Sequence, residues 1–225
     1  EVDGHSRLCL IAGNAHARFY NCSVKSDAWA ALSTDASWGD TYLEANHCDI
    51  TVERPGYGTF ADEGALVVMN DCRIKTASHC GMVCGNAKLQ FHRCTLHSGR
   101  HGVFMFAIMA KNGAQLADLT VDSCTVSAKE IPFLIRGTNA YLDIRSTELH
   151  SDSGVLLKTE IFRDPMASKA SPDEPLYGVK AVFSDMELQG DILHEDIERP
   201  MALRYFHSRH VGAIRNANIQ LDKAS

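Results

Sequence analysis

The chain has 225 residues, of which 45% are apolar and 22% charged, and a formal net charge of -6. That length and apolar share suffice for one sizeable core. The acidic balance argues against a nucleic-acid partner, which needs a basic stripe, and no run of about 18 apolar residues offers a membrane span.

The start at Glu1 shows no charged-then-apolar leader pattern. The first recognisable element opens at Gly13 with GNAHARFYNCSV. It contains a Gly/Asn/Ala turn, an alternating apolar strand, a short polar break, then Cys, any residue and an aliphatic residue. The same order returns at Gly85 (GNAKLQFHRCTL) and Gly137 (GTNAYLDIRSTEL). Its register is also found at Val67 to Ile74, Leu119 to Val126, Val179 to Leu188 and Leu203 to His210. One column reads Cys22, Cys48, Cys72, Cys94, Cys124, Thr147, Met186 and Ser208, with a base period near 22 residues and additions. Two positions on stand Val24, Ile50, Ile74, Leu96, Val126, Leu149, Leu188 and His210. All but the last are aliphatic, as an inward strand position requires. Just before the column stand Asn21, His47, Asp71, Arg93, Ser123, Ser146, Asp185 and His207. These are mostly short polar residues that suit a tight turn, because such side chains bond nearby backbone.

No stretch keeps a helical period. The pattern predicts one all-β domain over 1–225, a right-handed parallel β-helix of about eight to nine coils. Two long loops, near 106–115 and 160–178, are expected on one side. Over roughly residues 8 to 220 this resembles the right-handed parallel β-helix of the pectate-lyase-like superfamily. The resemblance implies an architecture and no particular chemistry, because that fold hosts lyases, hydrolases, isomerases and adhesins. Polysaccharide lyases of the superfamily hold calcium with clustered acids beside an Arg or Lys base. Here the acids scatter: Asp62 and Glu63, Asp118 and Asp122, then Asp191, Glu195 and Asp196. No catalytic residue carries over, and a calcium-dependent lyase is disfavoured.

Five of the eight cysteines stand in the repeat column. They are expected to fill the core as small hydrophobes, as Val or Ala would, with inter-coil disulfides the other reading. A ladder of free thiols favours a reducing or anaerobic setting, in a bacterial cytoplasm or at a cell surface. Cys80 and Cys84 lack both zinc-type spacing and a second pair, so no metal and no cofactor are expected.

Candidate sites come from departures from the repeat. Setting Gly81, Gly102, Pro132 and Gly154 level assigns Val83, Phe104, Phe106, Leu134, Arg136, Leu156 and Lys158 to the outer face. That is an apolar stripe with two cations at its edge, the kind of surface a loop or a ligand covers. At the entrance His79 is expected level with Arg100, and Cys80 with His101. His79, His101 and Arg136 are the candidate acid/base and clamping groups. Phe104, Phe106, Leu134, Lys158 and Arg100 are the candidate substrate contacts. In the last polar coil, Tyr205 and His210 are a second acid/base pair with His207 at the rim, or else a solvated end cap. Two functions follow. One is a cofactor-independent lyase or isomerase acting on a small organic or sugar-derived substrate. The other is a non-catalytic glycan-binding, adhesive or structural segment of a bacterial surface protein.

Overall fold

The computed structural model describes residues 7–107, 115–162 and 177–225. Every strand pair in it is parallel, and the strands stack into a β-helix. The first sheet takes its strands in order from Arg7–Ala12, Ala30–Asp35, Tyr57–Ala61, His79–Cys84, His101–Phe106, Ile131–Arg136, Val155–Glu160, Asp191–His194 and Ile214–Arg215. The second is also nine-stranded and runs from His16–Tyr20 to Asn218–Leu221. The third has six strands, Ser23–Ser26, Asp49–Val52, Arg73–Thr76, Thr95–Ser98, Thr125–Ala128 and Glu148–Ser151. Beyond a break it resumes as the pair Glu187–Gln189 and Arg209–Val211. Eight complete three-strand coils and a two-strand ninth are therefore present, as the repeat predicts. No described helix is long and apolar enough to cross a membrane. The two predicted long loops lie largely outside the described residues. Their flanks, Phe106 with Leu116 and Glu160 with Val179, both sit at the corner between the first and second sheets.

The predicted break column forms that tight turn. Asn21, His47, Asp71, Arg93, Ser123, Ser146, Asp185 and His207 all have φ between 43° and 58°. One left-handed residue per coil turns the chain from the second sheet into the third. Asn and Asp tolerate this conformation well, and other non-glycine residues adopt it at a cost.

The turn also explains the cysteine ladder. The left-handed residue still donates its N–H to the next coil's backbone, as Asp71 does to the His92 carbonyl (2.9 Å). The residue after it meets a side chain instead. The Cys72 N–H donates to Cys94 Sγ (3.4 Å), that of Cys94 to Cys124 Sγ (3.2 Å), and that of Cys124 to Thr147 Oγ1 (3.2 Å). The series continues from Thr147 to Met186 Sδ (3.1 Å) and from Met186 to Ser208 Oγ (3.1 Å). Sulfur and oxygen alternate freely because all that is needed is an acceptor. A valine or alanine would leave a buried N–H without a partner. Core filling is thus only half of the column's role. All eight cysteines are free.

The core lies between the three sheets. Its largest fully buried side chains include Phe91, Phe133, Phe183, Leu89 and Met105. Phe60, also fully buried, belongs to a second, separate apolar cluster on the outer side of the first sheet, with Met82, Cys84, Phe104, Ile131 and Leu134.

Candidate functional site

The ladder of the first sheet fixes the outer face. One outward column runs Phe60, Met82, Phe104, Leu134, Lys158, Leu193. The next runs Cys84, Phe106, Arg136, Glu160. Phe104, Phe106, Leu134, Arg136 and Lys158 therefore do share one face, as expected. Two assignments are corrected. Gly81 is level with Val103, not Gly102, so Val83 points into the core and Met82 and Cys84 point out. Lys158 is level with Leu134, but the register shifts between Val155 and Leu157, and Leu156 packs with the core. A slip of one residue reverses a strand's faces, because side chains alternate.

The same slip corrects the histidines. Gly81 level with Val103 puts His79 level with His101, not with Arg100. Their imidazoles stack, with ring centroids 5.1 Å apart and planes 12° apart. Tyr57 stacks on the other side of His79 at 5.2 Å, and Trp29 meets Tyr57 edge-on at 5.2 Å. His79 is 7% exposed and His101 4%. Burial, the neighbouring imidazole and Arg100 pull His79 down to about 3. Burial pulls His101 down to about 4 against the opposing pull of Glu130. Both rings are therefore neutral at pH 7. Nδ1 of each is buried without a hydrogen-bond partner.

The three candidate cations, Arg100, Arg136 and Lys158, are engaged. Arg100 donates to Glu130 (3.0 Å), whose other oxygen lies 3.4 Å from His101 Nε2. Arg136 donates twice to Glu160 (2.9 and 2.6 Å) and sits over the Phe104 ring at 5.3 Å. Lys158 bridges Glu160 and Glu195, each at 3.1 Å. Glu130 and Glu160 are the residues the sequence reading missed. The available signal was position: Glu160 is level with Arg136 one coil on, and Glu130 stands immediately before Ile131, which is level with His101.

The stripe itself is not an open groove. Phe104 is 9% exposed, Met82 5% and Leu134 2%, and only Phe106 is half-buried. Phe106 packs against Phe104 at 5.5 Å and Phe162 at 4.9 Å. Cys80 and Cys84 belong to different clusters and share no site. Burial pushes the Cys80 thiol up to about 12. Among the described residues no three His, Cys, Asp or Glu side chains gather as metal ligands would.

The eighth coil, which the sequence pattern reads as the last, brings its predicted pair together. The Tyr205 hydroxyl lies 3.1 Å from His210 Nδ1, and His210 Nε2 lies 2.7 Å from the Gly190 carbonyl. A carbonyl only accepts, so Nε2 carries the proton and Nδ1 accepts from Tyr205. Burial raises the Tyr205 phenol well above its usual value. His207 lies at the rim, 3.6 Å from Asp185 and 3.8 Å from Asp222. Both nitrogens of His210 are satisfied inside the protein, and Tyr205 is 2% exposed and level with Leu221 of the ninth coil, so the pair is packed structure and the expected solvated end cap is corrected. A similar device holds His194: Nδ1 lies 2.6 Å from Thr159 Oγ1, and Nε2 2.8 Å from the Arg199 carbonyl.

Fold and faces together define the class: a parallel β-helix with a second apolar layer outside its first sheet. Comparison with known proteins adds no family to this, since no family model, curated protein or solved structure matches the chain.

Proposed function

We infer that this chain is a non-catalytic β-helix, a rigid scaffold that acts through the surfaces it presents. The observation that carries this is the state of the outer-face groups. Arg100, Arg136 and Lys158 are tied to carboxylates, and the two histidines are buried and neutral. A general base works best with a pKa near the operating pH, and about 3 and about 4 are far below it. The histidines then serve as aromatic packing in a stack with Trp29 and Tyr57.

One observation favours a second reading, a lyase or isomerase of the kind this architecture also hosts. Two of the seven buried side-chain polar atoms without a partner among the described residues are these Nδ1 atoms, side by side, and a buried polar atom without a partner calls for an explanation. With Nε2–H turned towards the Glu130 carboxylate 3.4 Å away, His101 Nδ1 would be the atom that accepts a proton from a substrate.

The double substitution His79→Phe with His101→Phe separates the two. A histidine whose folded pKa is depressed binds fewer protons than in the unfolded chain. Its contribution to stability is complete above pH 6.5 and is lost as pH falls towards the folded value. Each histidine contributes a slope of about 1.4 kcal/mol per pH unit in that window. Asp62, raised to about 6 mainly by burial, acts the other way: its contribution is present below pH 3.8 and lost as pH rises through 6. The net slope between pH 4 and 6 is therefore about that of one histidine. Under the scaffold reading the double variant folds, loses this acid sensitivity in urea melts, and keeps every binding property. If wild type turns over or binds any member of a panel of uronic-acid oligosaccharides and aromatic acids and the double variant does not, the scaffold reading fails.

A further inference from the structure

We propose that the N-terminal end of the second sheet's outer face, with the Trp38 loop beside it, is a binding platform for an uncharged oligosaccharide. The proposal rests on the reading of the chain as a scaffold that acts through its surfaces, and it concerns a different face from the histidine pair.

Trp38 is 78% exposed, the most of any large apolar side chain among the described residues. The core does not use it, yet the loop that carries it is fixed on both sides. Asp35 Oδ1 accepts from the Ser37 N–H (2.9 Å) and hydroxyl (2.6 Å), and the Gly39 N–H closes a turn on the Ala36 carbonyl (3.2 Å). The Asp40 N–H donates to Asn14 Oδ1 (3.0 Å) in the preceding coil. Gly39, at φ 145°, lies against the same Asn14 side chain and leaves no room for a Cβ. An indole held out on an ordered loop needs no further ordering when a ligand arrives.

The loop opens onto the strands His16–Tyr20 and Tyr42–Asn46. Asp40 lies 3.4 Å from His16 Nε2, and the His16 ring meets Tyr42 edge-on at 5.8 Å. Further along, Glu44 accepts from the Tyr42 hydroxyl (3.0 Å), Arg18 Nε (2.9 Å) and Asn46 Nδ2 (3.0 Å). The strip ends at Tyr20, 57% exposed and level with Asn46. Tyr20 stands four residues along its strand from His16, a separation of about 13 Å. Two exposed aromatic side chains thus flank a row of fixed polar groups, over a length that suits a short oligosaccharide.

These side chains select the occupant. A pyranose has an apolar C–H face for an aromatic ring to cover, and hydroxyls that both donate and accept. Fixed carboxylate, guanidinium and amide groups meet such hydroxyls without losing further rotamer freedom. The charges of the strip are paired within it, Arg18 with Glu44 and His16 with Asp40, which suits a neutral glycan and not a uronic or sulfated one. A protein partner would place Trp38 at the centre of an apolar, water-excluding contact. Ser37, Asp40, Asn14 and His16, in the loop and the turn that adjoins it, are instead polar and exposed.

The test is titration calorimetry of the whole chain with cellohexaose, xylohexaose, mannohexaose and chitohexaose, and with hexagalacturonate as the charged control. Binding of at least one neutral hexasaccharide is expected, tighter than that of hexagalacturonate and little changed by salt. Trp38→Ala should weaken it about tenfold or more, and Tyr20→Ala about threefold. Both side chains are exposed, so the variants should keep the urea midpoint of wild type. The double variant His79→Phe with His101→Phe should bind as wild type does. The proposal is overturned by no binding of any neutral hexasaccharide, by equal binding in Trp38→Ala, by tighter binding of hexagalacturonate, or by a dimer that Trp38→Ala dissolves. Cleavage of a bound oligosaccharide, lost in the double histidine variant while binding persists, would sink the scaffold reading and keep the platform.

Discussion

At the scale of the residue, the column after the left-handed turn carries the argument. Five members, Cys94, Cys124, Thr147, Met186 and Ser208, each offer the preceding coil a heteroatom, whether thiol, thioether or hydroxyl. The thiol proton has its own acceptor: Cys94 Sγ lies 3.3 Å from the His92 carbonyl and 3.2 Å from that of Met69. The column itself could be read from the sequence, because its members recur in register. Its role could not, because the periodicity of residue types says which side chain points inward and not which backbone N–H lacks a carbonyl. The signal in hindsight is that Cys, Thr, Met and Ser all carry an acceptor and that Val, Ile and Leu are absent. A substitution distinguishes acceptor from filler. Cys94→Val keeps the volume and removes the acceptor, so it should cost about 1–3 kcal/mol by stranding the buried Cys72 N–H. Cys94→Thr retains an oxygen there, as Thr147 does naturally, and should cost distinctly less than Cys94→Val. Urea unfolding of the two variants measures the difference. Equal losses would return the column to simple packing.

At the scale of the element, one residue decides each corner and one residue of register decides each face. Ser123 has φ of 57° and its side chain bonds only the adjacent Asp122 carboxylate. Ser123→Gly should therefore be close to neutral, while Ser123→Val, β-branched in a left-handed position, should cost about 1–2 kcal/mol. Thermal melts of both variants check this, and a stable Ser123→Val would show that the turn can relax. The turn was readable because polar residues recur there. The register of the first sheet was not readable to the same accuracy. Glycines at Gly81 and Gly102 suggested a level row, but the ladder aligns Gly81 with Val103, and the bulge near Leu156 adds a further offset. That error hid the His79–His101 stack and the Arg136–Glu160 pair, both of which depend on knowing which residues are level. The apolar stripe survived, because Phe104, Phe106 and Leu134 remain on one face under either alignment.

At the scale of the whole molecule, a stack of coils is stabilised by each coil and by its contacts with the two beside it, so a weak interface divides it. The interface between the coil that starts at Ile131 and the one that starts at Val155 is of that kind. It keeps the ladders of the first and second sheets, with a register shift soon after in the first, and lacks that of the third. The coils beyond it hold a different set of supports. Tyr205 stacks on Phe183 at 5.3 Å and on His210 at 5.9 Å, and its hydroxyl reaches His210. Tyr205→Ala removes a large buried aromatic side chain, a change that costs about 3–5 kcal/mol in a packed core. If the broken sheet marks a boundary between cooperative units, that loss stays on one side. Hydrogen exchange on Tyr205→Ala should show amides of Val179–Ser184 and Met201–Phe206 losing protection together. Amides of Lys88–His92 and Thr95–Ser98 should keep wild-type rates. A uniform loss along the stack would mean that two continuous sheets suffice to couple every coil. The break in the third sheet would then have no part in dividing the molecule.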